Sequence, residues 1–213
     1  MIFLPTRGRP DSIRRFAALY GKTSASAPVL LLVDHDDASY DNLILPPQFS
    51  ILRMQPHNGI SECFNAAFAA HPDLEYYGIM ADDVVPETPH WDRLLKEACL
   101  AHGIAWGNDD MPQIGLPTHP FLSGRLVRHI GWLAYPGTKH WYVDNVCKDI
   151  ADAIGGCQLK TVHTPHWHIL NDKAPLDDTY LNQPSRQKDE AAYQTFREHE
   201  LPALQEKLKA FRP

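Results

Sequence analysis

No apolar stretch in this sequence is long enough to span a bilayer, which takes about 20 residues. Nor is there an excess of positive charge: the 213 residues carry 20 Lys and Arg against 26 Asp and Glu, a formal net charge of −6. That balance argues against a polybasic coat for nucleic acid or a membrane surface, although Arg7, Arg9, Arg14 and Arg15 gather near the N-terminus. There are four cysteines, Cys63, Cys99, Cys147 and Cys157, and no pair has the CxxC spacing of a zinc knuckle. Each falls in a segment read as helix or helix end, where free Cys behaves as a small buried hydrophobe, and the set suits a reducing, cytoplasmic compartment. The glycine pattern of a P-loop is missing, and no GxGxxG follows any strand. No repeat or low-complexity segment occurs. Met1 to Pro5 is apolar but lacks a basic leader and a cleavage site, so it reads as a strand and not a signal peptide.

What is present is an alternation of short apolar runs with amphipathic segments. With 44% hydrophobic and 22% charged residues, the chain can bury a substantial core. Strands are expected at Met1–Leu4, Val29–Val33, Phe49–Arg53, Tyr76–Met80, Ile104–Gly107 and Leu159–His163. Helices are expected from a cap at Asp11 or Ser12 to Tyr20, from the turn Asn58-Gly59-Ile60-Ser61 through about Ala70, Trp91 to His102, Leu126 to Leu133, Asp144 to Ile154 and Lys188 to about Phe211. The stretch His119–Gly124 reads as a loop. Gly155-Gly156 stops the helix before it. Continuous apolar strands imply a sheet covered on both faces, and the alternation implies an α/β fold with a mostly parallel central sheet flanked by helices. One domain spanning 1–213 is expected, with a sheet half (1–103), a loop-rich half (104–187) and a C-terminal helix (188–213).

The chemistry concentrates where strands end, the place at which open α/β sheets collect ligands. Asp34 follows the second apolar run directly, and Asp82-Asp83 follow the fourth, with Asp109 and Asp110 after the fifth. Two adjacent carboxylates repel unless a cation or proton lies between them, and oxygen ligands suit Mg²⁺ or Mn²⁺. The competing reading is a helix N-terminus, where Asp is also favoured. For Asp36, Asp37 and Asp110 turn chemistry is the simpler explanation. In His163-Thr164-Pro165-His166-Trp167-His168, His166 and His168 point the same way on an extended segment, as paired ligands or as decoration of an exposed strand. Asp144 opens a helix, as an N-cap or as a general base. Trp106, Trp132, Trp141 and Trp167 are candidates for stacking on a ligand's flat face, or for the core.

These features, in order, resemble a GT-A glycosyltransferase of the small inverting kind found among bacterial and phage proteins. The likeness runs from Pro5 to about Tyr180: Pro5-Thr6-Arg7-Gly8-Arg9-Pro10 after the first strand, Asp34 after the second, Asn58-Gly59 with Asn65 on the next helix, Asp82-Asp83 in the place of the family's DxD, Asp144, and His166/His168. The resemblance implies a nucleotide-diphosphate sugar donor held by Pro5, Thr6, Arg7, Arg9, Asp34, Asn58, Gly59, Asn65, Asp82, Asp83, Asn108 and Asp109. It implies Mn²⁺ or Mg²⁺ on Asp82, Asp83 and one of His166 and His168, and Asp144 as the catalytic base. The first acid of the DxD falls on Met80 or Ala81, a departure from the pattern. A saccharide or hydroxymethylated DNA is the expected acceptor, and no membrane partner is expected. The alternatives are a sugar-nucleotide nucleotidyltransferase, for which the N-terminal loop has too little glycine, and a GT-A-like module that binds without catalysing.

Overall fold

The computed structural model describes residues 1–111, 115–167, 181 and 184–213. Strands β1 (Ile2–Pro5), β2 (Val29–Asp34), β3 (Phe49–Met54), β4 (Tyr76–Ile79), β5 (Ile104–Asn108), β6 (Phe121–Ser123) and β7 (Cys157–His163) form a seven-stranded sheet in the order β3-β2-β1-β4-β6-β5-β7. All run the same way except β6, which pairs antiparallel with both β4 and β5. The helices are α1 (Pro10–Thr23), α2 (Ile60–Ala70), α3 (Trp91–His102), α4 (Gly124–Ile130), α5 (Val143–Ile154), α6 (Arg186–Thr195) and α7 (Leu201–Leu208). This is the expected mostly parallel α/β architecture, and the reason is visible in β1 and β2. Successive side chains on a strand point to opposite faces. Ile2, Leu4, Leu31 and Val33 enter a core with Phe16, Tyr20, Trp91 and Leu95 of α1 and α3. Phe3, Leu30 and Leu32 enter the opposite core with Phe64, Leu126, Ile150 and Phe196. Fully burying one such side chain stabilises the fold by roughly 1.5–3 kcal/mol, so both faces of these strands are fixed in register.

Several expectations need correction. His119–Gly124 is not all loop: Phe121–Ser123 is a buried strand inside the sheet. Its three residues are too few to show a period, and Pro120 before them disguised the start. The first helix begins at Pro10, whose fixed φ and missing N–H suit the first helical position, so its cap is Arg9 and not Asp11 or Ser12. Cys157 opens β7 and does not end a helix. The C-terminal segment is helical from Arg186 to Leu208 but carries a π-turn over Phe196–Glu200, where the Leu201 N–H reaches back to the Phe196 carbonyl, just ahead of Pro202. Proline lacks the N–H that a continuous ladder would use. Gly155 does end α5, at φ 76°, a left-handed value that glycine adopts without a Cβ penalty. Among the described residues no helix is long and apolar enough to cross a membrane.

Candidate functional site

Because six strands share one direction, their carboxyl ends share one edge of the sheet, and a cleft of about 420 Å³ opens there. From β1 come Pro5, Thr6, Arg7 and Arg9; from β2, Asp34; from the end of β4, Asp82 and Asp83; from the start of α2, Gly59; from the start of α5, Asp144; and from the segment after β7, His166. Residues distant in sequence are thus brought together as anticipated.

The Thr6 hydroxyl donates to Asp82 Oδ2 at 2.6 Å and lies 2.7 Å from the Tyr40 phenol, which accepts the Arg9 N–H at 3.0 Å. Since the single Thr6 proton goes to Asp82, Tyr40 donates to Thr6. The Arg9 guanidinium lies 3.1 Å from Asp82 Oδ1 and 4.0 Å from Asp83 Oδ2. Asp82 and Asp83 are 5% and 7% exposed, so two acids are buried side by side with one arginine between them. Burial first, then the neighbouring Asp83 charge, pushes the Asp82 carboxyl up to about 6. Asp83 Oδ1 meets His166 Nε2 at 2.9 Å. Backbone hydrogen bonds hold this contact: Trp167 N–H to the Asp83 carbonyl and His166 N–H to the Asp109 carbonyl, both 2.9 Å, and Val84 bridges His166.

Asp144 is not the N-cap of α5. Tyr142 takes that place in a left-handed conformation, φ 69°, and Asp144 sits in the first turn, where its Oδ1 accepts the Asn145 N–H at 2.9 Å. The side chain lines the cleft. Burial raises its carboxyl above the ordinary carboxylate range; the Asp109 charge adds to the rise and His166 opposes it. A carboxylate raised in this way is a better proton acceptor near neutral pH.

The remaining expected residues divide between the cleft's rim and places outside it. Arg7, 53% exposed, pairs with Asp34 and also with Asp36 at 2.9 and 3.2 Å, so Asp36 belongs to this rim and is more than a turn residue. Asn65 does not face the cleft. Its side chain donates to the Ala134 carbonyl at 2.7 Å and accepts the Leu133 and Ala134 N–H groups at 2.8 and 3.1 Å, tying α2 to the chain after α4. Asn58 is exposed and borders a neighbouring pocket with Asn65. Asn108 and Asp109 stand behind the cleft wall: Asn108 accepts the Asp110 N–H at 3.2 Å and Asp109 accepts the Thr118 hydroxyl at 2.5 Å. His168 lies outside the described residues. Of the tryptophans, Trp141 lines the cleft, Trp106 is buried, Trp132 packs on Tyr135 and Trp167 lies under Arg15.

The sequence reading missed His57, His140 and Tyr40, while His119 stands in the His119–Gly124 stretch where the resemblance implies sugar and acceptor contacts. His119 meets the His166 ring edge-on at 4.7 Å, and burial holds the His140 imidazole below its usual range, with the Asp189 charge opposing. For the missed residues the only sequence signal was proximity to turns. Gly59 was found by its Asn-Gly step. Its φ is 147°, and a Cβ there would meet the Lys139 carbonyl oxygen at 2.3 Å. Among the described residues no group of three or more His, Cys, Asp or Glu forms a ready metal cage. Asp83 and His166 offer one carboxylate and one imidazole, donors that both suit Mn²⁺.

No family model and no curated protein matches the sequence. Solved structures do match the fold. TarS of S. aureus, residues 1–349 in complex with UDP, aligns over 76% of this chain at 10% identity and a TM-score of 0.57; the match spans only 58% of that TarS chain. The same protein in complex with UDP-GlcNAc aligns over 92% of this chain and 72% of its own, at 10% identity and a TM-score of 0.56. Rv0371c of Mycobacterium tuberculosis H37Rv, in complex with manganese, aligns over 80% of this chain and 93% of its own, at 11% identity and a TM-score of 0.55. At these identities the likeness is one of architecture, and the architecture of this chain is GT-A-like.

Proposed function

We propose that the protein is an inverting glycosyltransferase that moves a sugar from a nucleotide diphosphate to an acceptor hydroxyl. One observation carries the reading: the Asp144 carboxyl, its proton affinity raised by burial, opens on the same cleft as Asp82, Asp83 and His166. Asp144 takes the proton of the acceptor hydroxyl as that oxygen bonds to the anomeric carbon. The bond from that carbon to the diphosphate oxygen breaks, and the nucleoside diphosphate leaves with the electron pair. Attack on the face opposite the leaving group inverts the centre. Thr6, Arg7 and Asp34, at the ends of β1 and β2, hold the nucleotide, and Arg9 sets Asp82 in place.

Asp83 and His166 are the residues that would hold Mn²⁺ or Mg²⁺. Such an ion supplies neutralisation of charge on the departing phosphate. The neighbours bound to UDP, UDP-GlcNAc and manganese support this choice of donor class and ion. The Trp141 and Tyr142 rings in the cleft suit a pyranose face, which favours a saccharide hydroxyl over hydroxymethylated DNA.

The test is a panel of nucleotide sugars, each with Mn²⁺ or Mg²⁺, scored for release of the nucleoside diphosphate, with Asp144→Asn beside the unaltered chain. General-base catalysis contributes roughly 10²–10⁴-fold, so the variant should lose that much turnover while keeping donor affinity. Undiminished turnover in Asp144→Asn would remove it as the base.

A further inference from the structure

Asp144 is delivered to the cleft by the loop Lys139–Tyr142, and that loop is gripped from α6. Asp189, on α6, is 2% exposed. Its Oδ1 accepts the Lys139 N–H at 3.0 Å, and its Oδ2 accepts the N–H groups of His140 at 2.7 Å and Trp141 at 2.8 Å. Three consecutive backbone donors on one carboxylate fix the path of the chain, because a buried N–H left unpaired costs about 1–3 kcal/mol. One turn further along α6, Tyr193 stacks on Tyr142 at 5.1 Å and donates to Asp149 of α5 at 2.9 Å. Asp189 and Tyr193 are four apart and share a helix face. On the other side of the loop, the Lys139 carbonyl accepts the Ser61 N–H at 3.1 Å. The left-handed Tyr142, two residues before Asp144, is thus held between α2 and α6.

We propose that Asp189 is a positioning residue for Asp144: by gathering the N–H groups of Lys139–Trp141 it sets where the base meets the acceptor. The inference rests on the reading of Asp144 as base. Asp189 is a poor suspect for the chemistry itself, since its oxygens are occupied by backbone donors. A residue that merely stabilised the fold would act differently, and the chain contains a matched control. Asp92 is 1% exposed and accepts the Ser24 hydroxyl at 2.5 Å and the Ala25 and Ala27 N–H groups at 2.6 and 2.9 Å. It closes the loop ahead of β2, at the opposite edge of the sheet from the cleft.

The experiment compares Asp189→Ala, Asp189→Asn and Asp92→Ala in the full chain, with two readouts. The first is the ¹³Cγ resonance of Asp144 without ligand, which needs no turnover. It should move in Asp189→Ala and stay put in Asp92→Ala. The second is UDP release from UDP-GlcNAc with Mn²⁺. Misplacing a catalytic group by about 1 Å costs up to about 100-fold, so kcat should fall about 10- to 100-fold in Asp189→Ala with KM within about twofold. Asp189→Asn should fall between, because its remaining oxygen still accepts from His140 and Trp141. Asp92→Ala should keep kcat despite its lower melting temperature. An Asp144 resonance that Asp189→Ala leaves where Asp92→Ala leaves it overturns the proposal. Unaltered UDP release in Asp144→Asn would instead defeat the base assignment, and the resonance would still judge the positioning.

Discussion

At the amino edge of the sheet, Asp92 is surrounded by donors: one hydroxyl and two backbone N–H groups close the connection into β2. At the carboxyl edge, Asp82 is equally buried but its neighbour is a second acid, with one arginine and one hydroxyl as donors. The first arrangement spends every acceptor on the chain and leaves nothing for a ligand. The second holds like charges together, which a fold tolerates only where something compensates. Burial alone therefore does not mark a functional aspartate; the identity of what surrounds it does. Asp189 repeats the amino-edge device, but beside the cleft, where fixing a loop has chemical consequences.

Substitutions can press on this contrast from several sides. The largest effect should be on turnover in Asp144→Asn, roughly 10²–10⁴-fold, with folding intact by circular dichroism. Next, Arg9→Ala removes the cation between Asp82 and Asp83. Breaking a buried pair costs about 3–5 kcal/mol, lessened here if Asp82 takes up a proton, so urea unfolding should show a loss near the lower figure, and calorimetric affinity for whichever nucleoside diphosphate the donor panel identifies should weaken with it. Asp92→Ala orphans three donors and should cost about 2–3 kcal/mol, seen as a melting temperature lower by roughly 5–10 °C, with that affinity unchanged. If Asp92→Ala impaired nucleotide affinity as strongly as Arg9→Ala, the division between the edges would collapse.

The smallest effect is a pH dependence. The folded carboxyl of Asp144 binds its proton more tightly than in the unfolded chain, where about 3.9 is expected. Its contribution to stability is therefore full at pH below that value and is lost as pH rises through the folded pKa. Asp144→Asn lacks this loss. Thermal melts should show the variant gaining on the unaltered chain as pH rises from 4 toward neutrality; a constant difference would contradict the raised affinity.

Much of the carboxyl edge was legible because strand ends and acids are both local signals. Val29–Val33 running into Asp34, and Tyr76–Met80 into Asp82-Asp83, announced both the sheet and its ligand-facing rim. What escaped depends on distance in sequence. Phe121–Ser123 has no period of its own and becomes a strand only between β4 and β5. The family resemblance made Asn65 a nucleotide contact, yet three backbone groups of Leu133 and Ala134 claim its side chain. Tyr40 gave no hint of its phenol lying between Thr6 and Arg9. Asp189 sat in a segment read simply as an amphipathic tail, and nothing nearby foretold the three N–H groups 48 to 50 residues earlier.

The reversed direction of β6 has a geometric result. A strand that follows a parallel neighbour is normally entered from the far rim, so only chain exits decorate the ligand side. Here the chain leaves β5 at Asn108 and enters β6 at Phe121 on one and the same rim. Pro117–Pro120, an approach to a strand, becomes part of the cleft wall, and His119 comes with it. Residues could be added to or removed from that connection with the ladder beneath it untouched, which makes it the place where this scaffold most readily tolerates redesign of what the cleft admits.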